Sequence, residues 1–242
     1  MLREMSTTYG KSAGGYIWAL LDPVLGIALL TVVFSMTLRT PPIGTNFALF
    51  YASGFLPFMM FSDMAGKIAQ SIRFSRALLA YPSVTYIDTL LARLFLNTLT
   101  HSVVFLVVIS GIMFIFKLPV DFRIGPVLMS LLMAAMLAMG IGTVNCYLMI
   151  KFPVWERIWG ILMKPLFLIS AVFFLLEMMP QAVVNVLWWN PLVHIVGMMR
   201  RGIYPTYEGS YISVAYVMAI AGILFFFGML LLSRNFRDLA ER

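Results

Sequence analysis

The sequence predicts an all-α membrane protein. It has six transmembrane helices, an N-terminal interfacial helix, a cytoplasmic loop with a short helix, and an outer re-entrant hairpin between spans five and six. Three observations carry this: a shortage of charge, the length of the apolar blocks, and the placement of lysine and arginine. Of 242 residues, 62% are hydrophobic and 11% charged, with mean hydropathy +0.95. A water-facing domain carries about 25% charged residues. Blocks of roughly 20 apolar residues match the bilayer's hydrocarbon thickness.

Met1 to Tyr16 is short and polar, with Arg3, Glu4 and Lys11, and reads as an interfacial segment or a frayed terminus. It does not read as a cleavable signal, because no small-residue cleavage site closes the apolar run that follows. Span one covers Ile17 to Leu38 and stops at Arg39, Pro41, Pro42 and Gly44. Span two covers Phe47 to Ala65. Gly66 to Asp88 is only partly apolar, carries Lys67, Arg73 and Arg76, and reads as a loop with a short helix over Ile72 to Leu79 that ends at Tyr81-Pro82. Span three, Thr89 to Phe116, is long enough to tilt or project. After a turn at Lys117, Pro119, Asp121 and Arg123 comes span four, Ile124 to Ile150. Lys151, Pro153, Glu156 and Arg157 precede span five, Ile158 to Leu176. Span six runs from Tyr211 to Leu232, and the tail from Ser233 to Arg242 is charged.

The net charge of +7 orients the chain rather than pointing to nucleic acid. With the N-terminus in the cytoplasm, twelve basic residues lie on or near the inner face: Arg3, Lys11, Lys67, Arg73, Arg76, Arg93, Lys151, Arg157, Lys164, Arg234, Arg237 and Arg242. Five lie outside: Arg39, Lys117, Arg123, Arg200 and Arg201. Both termini are therefore expected inside. The stretch 180–209 decides the span count. Val183 to Met199 is nearly long enough to cross, but Asn190-Pro191 sits at its middle, where proline removes a donor and restricts its neighbour. A crossing there would also place the basic tail outside. Two half-helices entering and leaving by the outer face avoid both costs. Such broken backbone is tolerated at membrane depth where protein or a water-filled path surrounds it.

No energy-converting chemistry is visible. Gly10-Lys11-Ser12 supplies only the end of a phosphate-loop pattern, with Met5 where its first glycine belongs. No zinc-protease motif, paired-carboxylate constellation or nucleophile triad is present. His101, His194 and Cys146 stand apart, so neither a metal site nor a disulfide is expected, and no cofactor. Asp22, Asp63, Asp88, Glu156 and Glu177 lie near span ends rather than forming a proton relay.

Several stretches together resemble a known family. They are Leu2-Arg3-Glu4 through Tyr9-Gly10-Lys11, Gly15-Tyr16-Ile17-Trp18 through Asp22-Pro23, and Gly54-Phe55-Leu56-Pro57-Phe58 with Phe61-Ser62. Tyr86-Ile87-Asp88-Thr89 with Ala92-Arg93, Phe152-Pro153, Lys164-Pro165-Leu166 with Ile169-Ser170, and Trp189-Asn190-Pro191-Leu192-Val193-His194 continue the series. In this order and spacing the chain resembles the permease subunit of capsular-polysaccharide exporters, within the ABC-2 type transporters. The family carries a longer lead before Leu-Arg-Glu, which leaves the N-terminal helix incompletely defined. The resemblance implies six spans, a homodimer, a separate ATP-binding subunit docking from the cytoplasm, and export of a lipid-linked polysaccharide across the bacterial inner membrane. Periplasmic and outer-membrane export partners are also expected. Six helices alone enclose a glycan poorly, which agrees with a dimer. The alternatives are an exporter of the same class for an O-antigen, a lipo-oligosaccharide or a drug, and a passive channel or structural component.

The candidate residues follow from that reading. Ile72, Arg73, Arg76 and Leu79 would form a coupling helix against the ATPase; the two arginines could equally meet lipid headgroups. Trp18, Tyr51, Phe55, Phe58, Phe167, Phe173 and Phe174 would line a glycan path, since sugars stack on aromatic rings, or else pack and meet lipid. Glu177, Asn190, Pro191, Arg200 and Arg201 would form an outer gate, with the arginines meeting a pyrophosphate or acidic polymer, or snorkelling to headgroups. Glu177 could pair with Arg200 or Arg201, as a structural pair or in transport. His101 and His194 read as hydrogen-bonded packing residues, Cys146 as a small buried hydrophobe, and Gly140 and Gly142 as sites of close helix approach. Glycan would enter from the inner leaflet near Met1 to Trp18, ATP binding would push the 66–88 loop, and the hairpin would gate the exit.

Overall fold

A computed structural model describes residues 15–79, 85–118 and 121–241, with side chains over 17–75, 85–118 and 121–234. The interfacial segment up to residue 14 and the stop at Tyr81-Pro82 lie outside the described residues, as do the side chains of Arg76 and Leu79. All the regular structure among the described residues is helical: α1 (Gly15–Thr37), α2 (Phe47–Ala69), α3 (Ser71–Leu79), α4 (Tyr86–Phe116), α5 (Ile124–Lys151), α6 (Val154–Leu168), a 3₁₀ turn (Leu176–Met178), α7 (Gln181–Leu187), α8 (Pro191–Ile203) and α9 (Val214–Glu241).

Five of these, α1, α2, α4, α5 and α9, are long and apolar enough to cross a membrane. The broken pair α7–α8 makes a sixth if counted as one span. α2 and α5 form the centre and are mostly buried; α1, α4 and α9 surround them and leave most of their apolar surface outward. Phe50, Phe61, Met64, Met133 and Leu137 are fully enclosed between them. An outward apolar face suits a bilayer, where lipid tails solvate leucine as well as a core does.

Helix ends follow local chemistry. Asn46 caps α2 by accepting from the amide of Leu49 at 3.1 Å. Thr85 and Asp88 form a reciprocal capping box at the start of α4. α4 ends at Lys117, in left-handed backbone (φ 49°).

The two ends of the bundle are distinguishable. At one, Ser71 of α3 meets Cys146 near the end of α5 (Oγ–Sγ 3.8 Å). At the other, the amide of Arg123, before α5, donates to the carbonyl of Gly202 in α8 at 2.9 Å. The run along α5 from Arg123 to Cys146, about 35 Å at 1.5 Å per residue, therefore separates α3 from the α7–α8 hairpin.

The helix expected over 158–176 is different. α6 has 15 residues, about 22 Å, and ends at Leu168. Pro165 removes a donor from its last turn, the Ser170 hydroxyl turns back to the carbonyl of Leu166, and Ala171 adopts left-handed backbone (φ 58°). The chain then runs irregularly through 169–175 to the 3₁₀ turn, buried at Ser170, Ala171, Val172 and Leu175. The break expected at Asn190-Pro191 is present: α7 and α8 meet at 103°. Asn190 caps α8 and Pro191 occupies its first turn, where a missing amide costs nothing.

Candidate functional site

The irregular segment 169–175 leaves carbonyls without helical partners, and α8 supplies donors for them. Asn190 Nδ2 donates to the carbonyl of Ile169 at 3.1 Å and to Ser170 Oγ at 3.3 Å, while its Oδ1 accepts from the amide of Leu192 at 3.0 Å. Arg200 Nη1 donates to the carbonyl of Phe174 at 2.7 Å, and Nη2 to that of Val172 at 3.0 Å. The guanidinium lies over the Phe50 ring, 4.5 Å from its centroid. Gly54 of α2 lets this assembly close: a Cβ there would sit 3.0 Å from Val172 Cα and 3.3 Å from Arg200 Nη2. Replacing Asn190 by alanine removes the cap and both donors, and is expected to cost about 1–2 kcal/mol in detergent unfolding.

This corrects two expectations. Arg200 has no exposed surface and is turned inward, so it is not the outward cation expected of an adjacent arginine pair; Arg201 is exposed. Glu177 makes no ion pair with either arginine among the described residues, because Arg200 is committed to backbone carbonyls. The exposed Glu177 instead accepts from the Tyr207 hydroxyl at 3.2 Å. Tyr207 also meets the Tyr211 hydroxyl at 3.2 Å. Burial first, then Tyr211 and the Glu177 carboxylate, hold the Tyr207 hydroxyl well above the ordinary phenol range.

His194 is the packing residue its isolation suggests. It is fully buried, with Nε2 2.8 Å from the carbonyl of Trp188 and Nδ1 accepting from the amide of Ser213 at 3.2 Å. Trp188, Tyr211 and Tyr216 surround it, and the Tyr216 hydroxyl donates to the carbonyl of Trp189 at 2.7 Å. His101 lies 2.8 Å from Asp63, which also takes the ammonium of Lys67 at 2.7 Å. This ties α2 to α4.

Five of the seven aromatics singled out come together. Phe167, at the end of α6, sits 4.9 Å from Phe58, 4.9 Å from Phe173 and 5.8 Å from Phe55 between ring centroids. Phe34 of α1 bridges Phe173 (5.7 Å) to Tyr51 (5.2 Å). Tyr51 is fully enclosed and Phe58 nearly so; Phe55, Phe167 and Phe173 are half-buried. Phe174 packs elsewhere, against the small core of Ala171, Leu176, Leu187 and Val193. Trp18, 53% exposed, stands on the outer face of α1. Phe34 is missing from the sequence-based set because a lipid-facing span offers no local sign of which ring turns inward.

At the other end, α3 divides its face. Ile72 and Ser75 point inward and are buried, with Ile72 packed among Ile68, Leu90, Cys146, Tyr147 and Leu232. Arg73 and Phe74 point outward, Phe74 being 69% exposed. Arg93 of α4 places its guanidinium 5.3 Å from the Phe74 ring and donates to the carbonyl of Lys67 at 2.6 Å. Arg73 Nη1 reaches Glu156 Oε2 of α6 at 3.2 Å. Ile72 is thus a core anchor of α3, and Phe74 is the exposed residue that the loop's arginines overshadow in the sequence. The inward spacing of Ile72 and Ser75, three residues apart, could have revealed it.

The chain matches the family described as ABC-2 type transporter over residues 1–204. It is 30% identical over 233 residues to the polysialic acid transport protein KpsM of Escherichia coli, covering 95% of this chain and 89% of that one. It is 27% identical over 237 residues to the capsule polysaccharide export inner-membrane protein CtrC of Neisseria meningitidis serogroup B, covering 97% and 88%. With the capsule polysaccharide export inner-membrane protein BexB of Haemophilus influenzae it shares 24% identity over 237 residues, covering 98% and 89%.

Proposed function

Because this chain belongs to the ABC-2 type transporter family, we propose that it is the membrane subunit of an ATP-driven exporter, moving lipid-linked capsular polysaccharide across the bacterial inner membrane while a separate chain hydrolyses ATP. The observation that carries this reading is near end-to-end similarity to relatives named for polysialic acid transport and capsule polysaccharide export. The geometry suits it. α3 stands at one end of the bundle with its buried face anchored and Phe74 outward, as a helix that seats in a partner requires. The broken hairpin at the other end, with the irregular 169–175 segment beneath it, suits a gate. In this reading α6 crosses with the irregular segment as the fifth span, α7–α8 re-enters from the periplasm, and both termini are cytoplasmic.

A second copy of the chain completes the path. No residue of α6 is buried, although Val154, Ile161 and Leu168 are each more than half exposed. Leu25, Leu29 and Met36 of α1 are similarly open. α1 and α6 are the faces we assign to the homodimer. The half-buried rings of Phe55, Phe167 and Phe173 then lie beside the shared path, with Tyr51 and Phe58 supporting them. Arg201 and Glu177 remain at the outer exit, and export partners in the periplasm and outer membrane receive the polymer.

The test is co-purification with the ATP-binding subunit from the native host. The wild-type chain is expected to retain it and stimulate ATP turnover. Phe74→Ala is expected to weaken that association by about 1–3 kcal/mol, as loss of a central aromatic anchor does at other interfaces, an effect of about 5- to 150-fold. A chain that neither binds the subunit nor alters its turnover is a passive channel or structural component.

A further inference from the structure

α6 makes its specific polar and ring contacts at its two ends, and between them lays only a half-buried stripe, Trp159 and Met163, on the bundle. It follows α5 through only Phe152 and Pro153, and its first turn is fixed by Trp155, whose indole Nε1 donates to Asn145 Oδ1 of α5 at 2.9 Å. The next residue, Glu156, takes Arg73 of α3. At the far end Phe167 meets Phe173, in the segment whose neighbouring carbonyls are held by Arg200 of α8. Between these ends no residue of α6 is fully buried, and the half-buried Trp159 and Met163 form a single stripe along which the helix can turn. A helix with a pivot at Trp155, a handle at Glu156 and a tip at Phe167 turns as a rigid body when its handle is pulled.

The geometry points to Arg73 as a positioning residue: it acts on α6 through Glu156, transmitting movement of α3 to the irregular segment and the outer hairpin, and it does not contact the ATP-binding subunit. This rests on the proposed coupling of α3 to such a subunit. Among the α3 side chains that are described, it assigns the two outward ones different tasks, Phe74 facing the partner and Arg73 facing α6. The pair is exposed on both sides, with 60% and 44% of the two side chains accessible. An ion pair so open to water contributes little to stability. Its loss should therefore show in coupling rather than in folding.

The test is a charge exchange in the full complex, prepared from the native host and compared with surface polysaccharide on the same cells. Arg73→Glu and Glu156→Arg are each expected to keep the ATP-binding subunit within about twofold of wild type while lowering export about fivefold or more. The double exchange is expected to restore most of it, since a pairwise interaction appears as non-additivity. Glu156→Arg is the sharper arm, because Glu156 lies on α6 and not on the outward face of α3. If Arg73→Glu strips the subunit from the complex and the exchange does not restore it, Arg73 is a docking contact and the inference is overturned. Single reversals that leave export unchanged overturn it equally. If the unaltered chain retains no ATP-binding subunit, the export reading itself fails, a result separable from the others because it appears without any substitution.

Discussion

Replacing Arg200 by methionine, which keeps the length of the side chain and removes the guanidinium, is expected to destabilise the chain by about 2–4 kcal/mol. The reason lies in what it leaves behind. The carbonyls of Val172 and Phe174 belong to a segment with no helical donors, and Arg200 supplies one to each. A buried acceptor left without a donor costs about 1–3 kcal/mol. The contact with the Phe50 ring is lost as well. Against this, removing a fully buried charge relieves its own desolvation cost, which keeps the net effect below the full sum of the losses. Arg200→Lys is not a mild change, because an ammonium is a point donor and cannot reproduce the planar fork that spans both carbonyls. The measurement is unfolding in detergent followed by tryptophan fluorescence, together with limited proteolysis at 169–176, where cleavage should rise. Unfolding within about 0.5 kcal/mol of wild type for Arg200→Met would show that the segment holds its shape without this staple.

The same staple explains where the sequence could be read and where it could not. Spans one to four are legible because the bilayer makes block length and hydropathy the governing signals: the expected 17–38, 47–65, 89–116 and 124–150 correspond to helices 15–37, 47–69, 86–116 and 124–151. Span six is found as well, although its helix begins at Val214 and continues to Glu241. Ile158 to Leu176 reads as one apolar helix by the same signals. Its interruption at Leu168 depends on Asn190 and Arg200, whose partners lie 20–28 residues away in sequence. Local periodicity carries no trace of that. The break at Asn190-Pro191 was legible because it is written into adjacent residues, a cap followed by a proline. For the candidate site, residue type suggested the aromatics, but tertiary packing decided which met: Phe34 joined the cluster, Phe174 left it, and Tyr51 went to the interior. Arg200 and Arg201 are neighbours of identical chemistry, and only their angular positions on α8 separate a buried staple from an exposed cation.

Replacing Gly140 by valine is expected to prevent the bundle from closing, with accumulation in the membrane reduced about 10-fold or more, the equivalent of at least the 1–3 kcal/mol that overpacking costs. α5 and α9 approach backbone to backbone at this point. A Cβ on Gly140 would lie 2.5 Å from the carbonyl oxygen of Ala221 and 3.2 Å from its Cα. Those are main-chain atoms of a continuous helix, so no rotamer change makes room and α9 must move as a whole. The contact is repeated farther along, where a Cβ on Gly228 of α9 would lie 2.9 Å from the amide nitrogen of Val144. Small residues at two levels let the helices approach closely enough for dispersion to hold them together in lipid, where no hydrophobic drive does so. Displacing α9 would also open the core that Leu232 shares with Ile72, the inward anchor of α3. Gly222→Ala is the matched control, since it lies one residue from Ala221 on the same helix and its added methyl meets nothing within 4 Å. Gly222→Ala should accumulate like wild type and unfold no earlier. If Gly140→Val does the same, the close approach of α5 and α9 is not what holds the two helices together.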